Sequence, residues 1–318
     1  MLKDIAEGIK KNKDIIEKIE ISPIVQYIDQ NTFKSARIGF DIGEDSAAIK
    51  YDDKYILITT DRIKTDFIEN FPFGAGFSSI LVSVDDIYAC GGIPIAATII
   101  ISVKDINTCS TILEGICEAS KRFQVPIIRG HTNPRGTSFE LSSTMIGEIK
   151  KENYISAGNA QVDDNIILAV DFDGRIGKAN KFYFDTTTFK NSEEVLKKRR
   201  AMNIIAEKKL ANASKDISNG GIFGTTLQLI KYSNVGADIN INKIDIPPKL
   251  KELDYTLEMY VKMYLTTSFI LTAPDQNCKD IINIFKKHNI ESKVIGKIIK
   301  QKVLKINDGK LTIEVIKF

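Results

Sequence analysis

Four short acidic segments stand at the ends of apolar runs, spread from residue 43 to residue 218 of a 318-residue chain. They are Gly43-Glu44-Asp45, Thr59-Thr60-Asp61, Asp85-Asp86-Ile87 and Lys215-Asp216-Ile217-Ser218. Carboxylates held at the ends of strands and helices are placed more rigidly than carboxylates on free loops. The pattern therefore favours a layered fold whose element ends carry the chemistry.

The periodicities agree with such layering. Near-helical spacing of Ile5, Ile9, Ile15, Ile16 and Ile19 predicts helix over the first 30 residues. Tyr55 to Thr59 reads as a β-branched strand ending at Thr60-Asp61. Phe73 to Cys90 reads as a helix stopped by Gly91-Gly92, with Pro94 beyond. Ile95 to Val103 is a buried strand by composition, Thr108 to Phe123 a helix, and Val125 to Ile128 a short strand. That strand meets an expected turn over Arg129 to Gly136, and Phe139 to Ile149 returns as a strand. The first half thus alternates strand and helix.

Gly158 to Asp164 reads as a linker. Beyond it come a strand over Asn165 to Val170, a charged helix over Asn191 to Asn212 and a polar glycine loop over Ser214 to Gly221. That loop opens a helix over Ile222 to Ser233. A strand over Ser268 to Thr272 and a helix over Asp275 to His288 follow. Strands close the chain around the hairpin turn Asn307-Asp308-Gly309.

Composition narrows the function classes. With 43% hydrophobic and 27% charged residues, the chain is globular, not disordered. A formal charge of +3 gives a nearly balanced surface and argues against nucleic acid as a partner. Lys197-Lys198-Arg199-Arg200 shares its helix with Glu193, Glu194 and Glu207, and reads as a solvated face. The longest apolar stretch, Ile93 to Ser102, falls short of the roughly 20 residues a spanning helix needs, so no membrane is expected. The N-terminal residues lack the apolar core of a secretion signal. Cys90, Cys109, Cys117 and Cys278 form no Cys-x-x-Cys pair, which fits a reducing cytoplasm.

Each acidic segment has a bland reading by itself. Gly-Glu-Asp is a turn, Thr-Thr-Asp a turn or cap, and Asp216 with Gly220-Gly221 a helix start. Asp85 and Asp86 lie about 100° apart on a helix, so at most one faces a given partner. Together they offer hard oxygen donors, as Mg²⁺ requires, and an ion bridging a polyphosphate takes only one or two carboxylates per site. Adjacent glycines allow close backbone approach to phosphate.

The order of these segments resembles the superfamily of ATP-dependent enzymes typified by aminoimidazole ribonucleotide (AIR) synthetase. Selenophosphate synthetase, thiamine-monophosphate kinase and the hydrogenase-maturation dehydratase are its other members. The family's Gly-Asp-Asp-Ala-Ala loop is similar to Gly43-Glu44-Asp45-Ser46-Ala47, and its Thr-Thr-Asp strand end to Thr59-Thr60-Asp61. Its Ser-Asp-Ile-x-Ala-Met-Gly-Gly-x-Pro helix end resembles Asp85 to Pro94, and its Asp-Ile-Ser-Asp-Gly-Gly loop resembles Asp216 to Gly221. Ser233 to Ala237 fits the element that follows. The similarity extends over most of the chain and is sharpest over 41–148 and 214–237.

The resemblance implies an α/β (α+β) fold of two AIR-synthetase-like domains, residues 1–150 and 151–318. The first is a mixed sheet that joins a partner's strands in a homodimer, and the second an α/β layer. It implies ATP and Mg²⁺ as cofactors, and phosphoryl transfer to, or activation of, a small-molecule acceptor. By the same token Asp45, Asp86 and Asp216 are metal ligands. Asp61 lies beside the phosphates, and Gly43, Ser46, Thr60, Arg129, Gly130, Thr132 and Gly220 line the nucleotide. Glu44 stands where many relatives carry a first aspartate and ranks lower.

One segment departs from the pattern. Where AIR synthetase and thiamine-monophosphate kinase carry Gly-Gly-Asp-Thr, this chain has Arg129-Gly130-His131-Thr132. Selenophosphate synthetases have Gly-Gly-His-Ser there, but they also use an N-terminal cysteine or selenocysteine, and the first cysteine here is Cys90. The Gly-His-Thr-x-Pro pattern is similar to AIR-synthetase-related proteins marked in methanogens and some bacteria. A lone histidine is most often structural. In a glycine turn among phosphate loops, His131 is the candidate for contacting phosphate or acceptor, or for acid–base work. Arg129 and Arg135 flank it and suit phosphate, although surface arginines are usually solvated; His288 reads as a surface residue. Two other readings stay open: a catalytically degenerate nucleotide- or effector-binding protein, and an acidic-loop phosphatase that needs no ATP.

Overall fold

Two sheets and eleven α-helices account for most of the computed structural model, which describes residues 1–318. The N-terminal sheet contains β1 (Ile38–Phe40), β2 (Ala47–Tyr51), β3 (Lys54–Arg62), β4 (Ile93–Ser102), β5 (Ile127–Asn133) and β6 (Glu140–Lys150). Its order is β1-β2-β3-β6-β4-β5, antiparallel except for the β4–β5 pair. The second sheet draws on β7 (Asn165–Val170), β10 (Ala213–Asp216), β11 (Gly236–Asn240), β13 (Ser268–Ala273), β14 (Glu291–Ile299), β15 (Val303–Asn307) and β16 (Thr312–Lys317). Its order is β10-β13-β7-β14-β11-β15-β16. A small third sheet joins β8 (Arg175–Ile176), β9 (Tyr183–Asp185) and β12 (Tyr264–Leu265).

The helices are α1 (Leu2–Lys10), α2 (Lys13–Glu20), α3 (Ser22–Asn31), α4 (Thr65–Asn70), α5 (Pro72–Ala89), α6 (Ile106–Phe123), α7 (Ser192–Glu207), α8 (Gly221–Tyr232), α9 (Pro248–Lys251), α10 (Leu257–Tyr260) and α11 (Asp275–Lys287). None is long and apolar enough to cross a membrane.

Strand periodicity sorts the faces. Along β6, Leu141, Ser143, Met145, Gly147 and Ile149 are buried and alternate with less buried residues, so one face packs on α5. On β7 and β13 every residue is buried, because both faces are covered. Ile167, Ala169, Phe269 and Leu271 face one core, and Ile166, Leu168, Val170 and Ile270 the other. The first core runs from the N-terminal sheet through α5 and α7 into the second sheet. It therefore joins the two halves instead of dividing them.

Several expectations change. The N-terminal 30 residues form three helices, not one. Asn12 caps α2 by accepting from the backbone N–H of Asp14 (2.9 Å), and Pro23 sits at the start of α3. Helix α1, expected with the first half, packs in the second core through Leu2, Ile5, Ala6 and Ile9, against β15 and β16. Arg129 to Asn133 is strand, not turn: β5 runs on to Asn133, hydrogen-bonded to β4. Ser214 to Asp216 is likewise the fully buried strand β10 and not loop.

Of the basic tetrad on α7, Lys197 and Arg200 are exposed as expected, but the other two are not solvated. Lys198 and Arg199 are buried. Lys198 reaches Asp171 (2.7 Å), which also holds Lys190 (2.8 Å). Arg199 has no exposed side-chain surface and pairs with Asp85 of α5 (2.7 Å). The other Asp85 oxygen accepts from the backbone N–H of Thr267 (3.3 Å). The Arg199 guanidinium lies over the Phe123 ring (4.8 Å). Removing one partner of a buried pair strands the other charge, at a cost of about 3–5 kcal/mol, whereas replacing both with apolar groups costs far less. Arg199→Met is expected to lower urea-unfolding stability by that order, and Asp85→Leu/Arg199→Met by clearly less. Equal losses in the two proteins would contradict the pairing.

Candidate functional site

A cleft of about 910 Å³ opens where β3, α5, the β10–α8 junction and α2 meet. Three of the four acidic segments supply one carboxylate oxygen each to a single point in it. Oxygens of Asp45, Asp86 and Asp216 all lie within 4.8 Å of one another. Asp45 ends the Gly43 turn just before β2, Asp86 projects from α5, and Asp216 ends β10. The two neighbours on α5 diverge as helix geometry demands: Asp85 turns to Arg199 and Asp86 into the cleft.

The cluster is fixed by donors from its own elements. Thr59 Oγ1 donates to Asp86 Oδ2 (2.6 Å). Ser83 Oγ donates to Asp61 Oδ2 (3.0 Å), placing Asp61 beside Asp86. Lys215 Nζ forms an ion pair with Asp45, whose other oxygen accepts from the Asp216 backbone N–H (3.2 Å). Burial, with the charges of Asp61, Asp216 and Asp45 behind it, raises the Asp86 carboxyl well above the usual range. Burial and the Asp45 charge do the same for Asp216, and burial raises Asp61. Burial works against the Lys215 charge, but Asp45 and Asp216 outweigh it and hold its proton more tightly than usual. The site gathers more buried negative charge than its own lysines neutralise.

Glu44 points elsewhere. Its carboxylate accepts from Tyr154 Oη (3.1 Å) and the Ala157 backbone N–H (2.6 Å), and from Ser156 Oγ. That ties the Gly43 turn to the segment leaving β6. Two glycines expected beside phosphate have their space filled by protein. Gly43 has φ +94°, and a Cβ there would lie 2.4 Å from the Tyr232 ring. At Gly220 a Cβ would lie 3.1 Å from Ile15 of α2. Ser46 Oγ is buried without a hydrogen-bond partner.

The remaining expected residues fall in two places. Asp61 and Thr60 line the cleft along the free edge of β3 beyond Ile58, where β2 has ended. Thr60 Oγ1 meets Thr144 Oγ1 (2.9 Å) on the opposite face of the sheet from Asp61. Arg129, Gly130, His131 and Thr132 lie on the exposed edge strand β5. In register, Asp61 pairs with Ser143, Ser143 with Ile99 and Ile99 with Gly130. Three strand spacings, about 14 Å, therefore separate the edge from Asp61 within one chain. His131 is not brought to the carboxylates of its own chain.

Sequence reading did not assign Lys215 or Lys18 to the site. Lys18, on α2, is half-buried in the cleft and donates to Gln228 Oε1 (2.9 Å) and Ser218 Oγ (3.2 Å). Burial, then repulsion from Lys215, lowers its pKa to about 8. The signal was its i, i+3 spacing from the buried Ile15, which puts a lysine on the packed face of an amphipathic helix.

Two domain families match most of the chain: AIR synthase related protein, N-terminal domain, over residues 43–149, and its C-terminal domain over residues 165–309. The chain belongs to the AIR synthase related family. An uncharacterised protein of Methanocaldococcus jannaschii is 37% identical over 313 residues, covering 97% of this chain and 94% of that one. The thiamine-monophosphate kinase of Buchnera aphidicola (subspecies Acyrthosiphon pisum) is 29% identical over 244 residues, 71% of this chain and 73% of the kinase. Among solved structures, T. maritima PurL complexed with ATP superposes with a TM-score of 0.75 at 14% identity, over 91% of this chain. The chain spans about half the length of PurL, 48% of it. AaThiL complexed with AMPPCP and TMP gives a TM-score of 0.67 at 19% identity, over 93% of this chain and 96% of that one. At such identities the structures establish the fold.

The Gly43 turn carries a measurable demand. Gly43→Ala is expected to cost roughly 1–3 kcal/mol through its left-handed backbone and the Tyr232 contact. Adding Tyr232→Ala should leave only the backbone part of that loss, when the double variant is compared with Tyr232→Ala in urea unfolding.

Proposed function

We propose that this chain is an ATP- and Mg²⁺-dependent enzyme that transfers phosphoryl to, or activates, a small-molecule acceptor. The observation that carries the proposal is the convergence of Asp45, Asp86 and Asp216, from three distant segments, within 4.8 Å. Buried carboxylates so close repel one another, and a divalent cation relieves both the burial and the repulsion. All the donors are hard oxygens, which suits Mg²⁺. Relatives named thiamine-monophosphate kinase and selenide, water dikinase, and the PurL and AaThiL structures with nucleotides bound, support ATP as the partner of that ion.

Asp45, Asp86 and Asp216 would hold the ion, which when bound offsets phosphate charge and stabilises the charge that develops during phosphoryl transfer. The chain's own residues fix the geometry. Thr59 sets the Asp86 carboxylate, Ser83 sets Asp61, and Lys215 pairs with Asp45. Glu44 is left out of the ligand set, because its oxygens are taken by residues 154–157.

The same proposal includes a homodimer through the N-terminal sheet. The exposed strand β5 offers an unpaired edge, and Ile128, Ile93, Ile95 and Ile100 are solvent-exposed around it. Arg129 and His131 lie on that edge, so any phosphate or acceptor contact they make is to the neighbouring subunit's cleft.

Three outcomes test this reading. Asp86→Asn and Asp216→Asn should each abolish Mg-nucleotide binding in calorimetry and ATP turnover; unchanged values would overturn the metal assignment. Because these acids bind protons more tightly folded than unfolded, metal-free stability falls as pH rises from the ordinary carboxylate range through their raised values. Mg²⁺ competes with those protons, so its gain in melting temperature should grow between about pH 5 and pH 8 and vanish in Asp216→Asn. Ile128→Asp should convert the species seen in sedimentation from dimer to monomer.

A further inference from the structure

Helix α2 spans the cleft between the two halves of the chain. At one end Asp14 accepts from Lys64 Nζ (2.8 Å), next to β3. At the other, Lys18 reaches Ser218 and Gln228 on the α8 side. Its close seating depends on the glycine loop: a Cβ at Gly220 would lie 3.1 Å from Ile15 Cγ1, and one at Gly224 3.3 Å from the same atom. Helix α1 anchors the arrangement from the second core.

Lys18 makes no direct ion pair inside the chain. Its two acceptors are a hydroxyl and an amide oxygen, and no carboxylate lies within 4.0 Å of Nζ. Lys215 is already committed to Asp45. An ammonium has three donors, and only two of them are taken here. The fold holds this amine in the cleft that contains the carboxylate cluster. A lysine kept only for packing needs no such placement, whereas an anion arriving with a metal would complete its shell.

Building on the nucleotide reading above, we infer that Lys18 binds an oxygen of the β- or γ-phosphate of the bound nucleotide. It enters from the N-terminal helix, on the opposite side of the cleft from the N-terminal sheet. Ser218 and Gln228 hold the amine at two corners and leave its third N–H for the polyphosphate. Lys18 is then a phosphate-binding residue that also makes occupation of the cleft depend on the position of α2.

The test is calorimetric titration of the full chain with Mg-ATP, Mg-ADP and AMP, comparing wild type with Lys18→Gln, Lys18→Met and Lys18→Arg. Lys18→Gln should weaken Mg-ATP and Mg-ADP by roughly ten- to a hundredfold and leave AMP within about twofold, with Lys18→Arg recovering part of the loss. Lys18→Met keeps the packing of the side-chain stem and serves the same comparison if the glutamine form fails to fold. Wild-type affinity for Mg-ATP in both neutral variants would overturn the inference and leave the nucleotide reading standing. An equal loss for AMP would also overturn it, by showing that the lysine only seats α2. If wild type binds no Mg-nucleotide, the nucleotide reading fails and this inference with it.

Discussion

The pair between Asp85 and Arg199 is the contact on which the rest of the site depends. It is fully buried and it links α5, which spans the N-terminal core, to α7 on the second sheet. Thr267 adds a backbone donor from the turn before β13. Asn203, a turn further along α7, donates to the carbonyls of Gly91 (2.9 Å) and Gly92 (2.8 Å) where α5 ends. Helix α5 is thereby fixed in rotation, and fixing its rotation aims Asp86. Buried ion pairs contribute little net stability compared with apolar packing. Here the pair's value lies in orientation, because a small roll of α5 would move Asp86 away from Asp45 and Asp216.

The cluster is built by spending local stability on placement. Three acids sit where burial and mutual repulsion favour their protonated forms. Small hydroxyl donors, Thr59 and Ser83, steady them without neutralising them, and Lys215 neutralises only Asp45. Such a site holds its geometry before any ligand arrives, so little rearrangement is needed on binding. The glycines around it serve this rigidity: Gly43 admits the Tyr232 ring and Gly220 admits Ile15.

The layering and the acidic positions were legible in the sequence, because strand and helix periodicities are local and each carboxylate stands next to a stop signal. Phe73 to Cys90 reads as a helix from its own residues, and the structure has α5 over Pro72–Ala89. What was not legible depends on distant partners. Arg129 to Asn133 looks like a turn, for it carries glycine and polar residues, yet pairing with β4 extends it as strand. Ser214 to Asp216 looks like a polar loop, yet it is strand, buried against β13. Lys198 and Arg199 look solvated until Asp171 and Asp85, remote in sequence, are known to face them. Lys18 has no motif at all, and only the docking of α2 on α8 brings it into the cleft.

Helix α1 packs against β15 and β16, the last strands of the second sheet. The roof of the cleft, α2, hangs from that helix by a short connection at Lys11 and Asn12. During synthesis the first helix thus emerges long before its docking surface exists. The N-terminal sheet can form early, with Asp45, Asp61 and Asp86 in place, but the full docking of α1 needs residues 303–317. A chain stalled or cut before those strands would carry all four acids, Asp216 included, but would lack the strands on which α1 packs. Full seating of the roof is thereby coupled to completion of the second sheet, because α1 packs on strands that follow every residue of the acidic cluster in sequence.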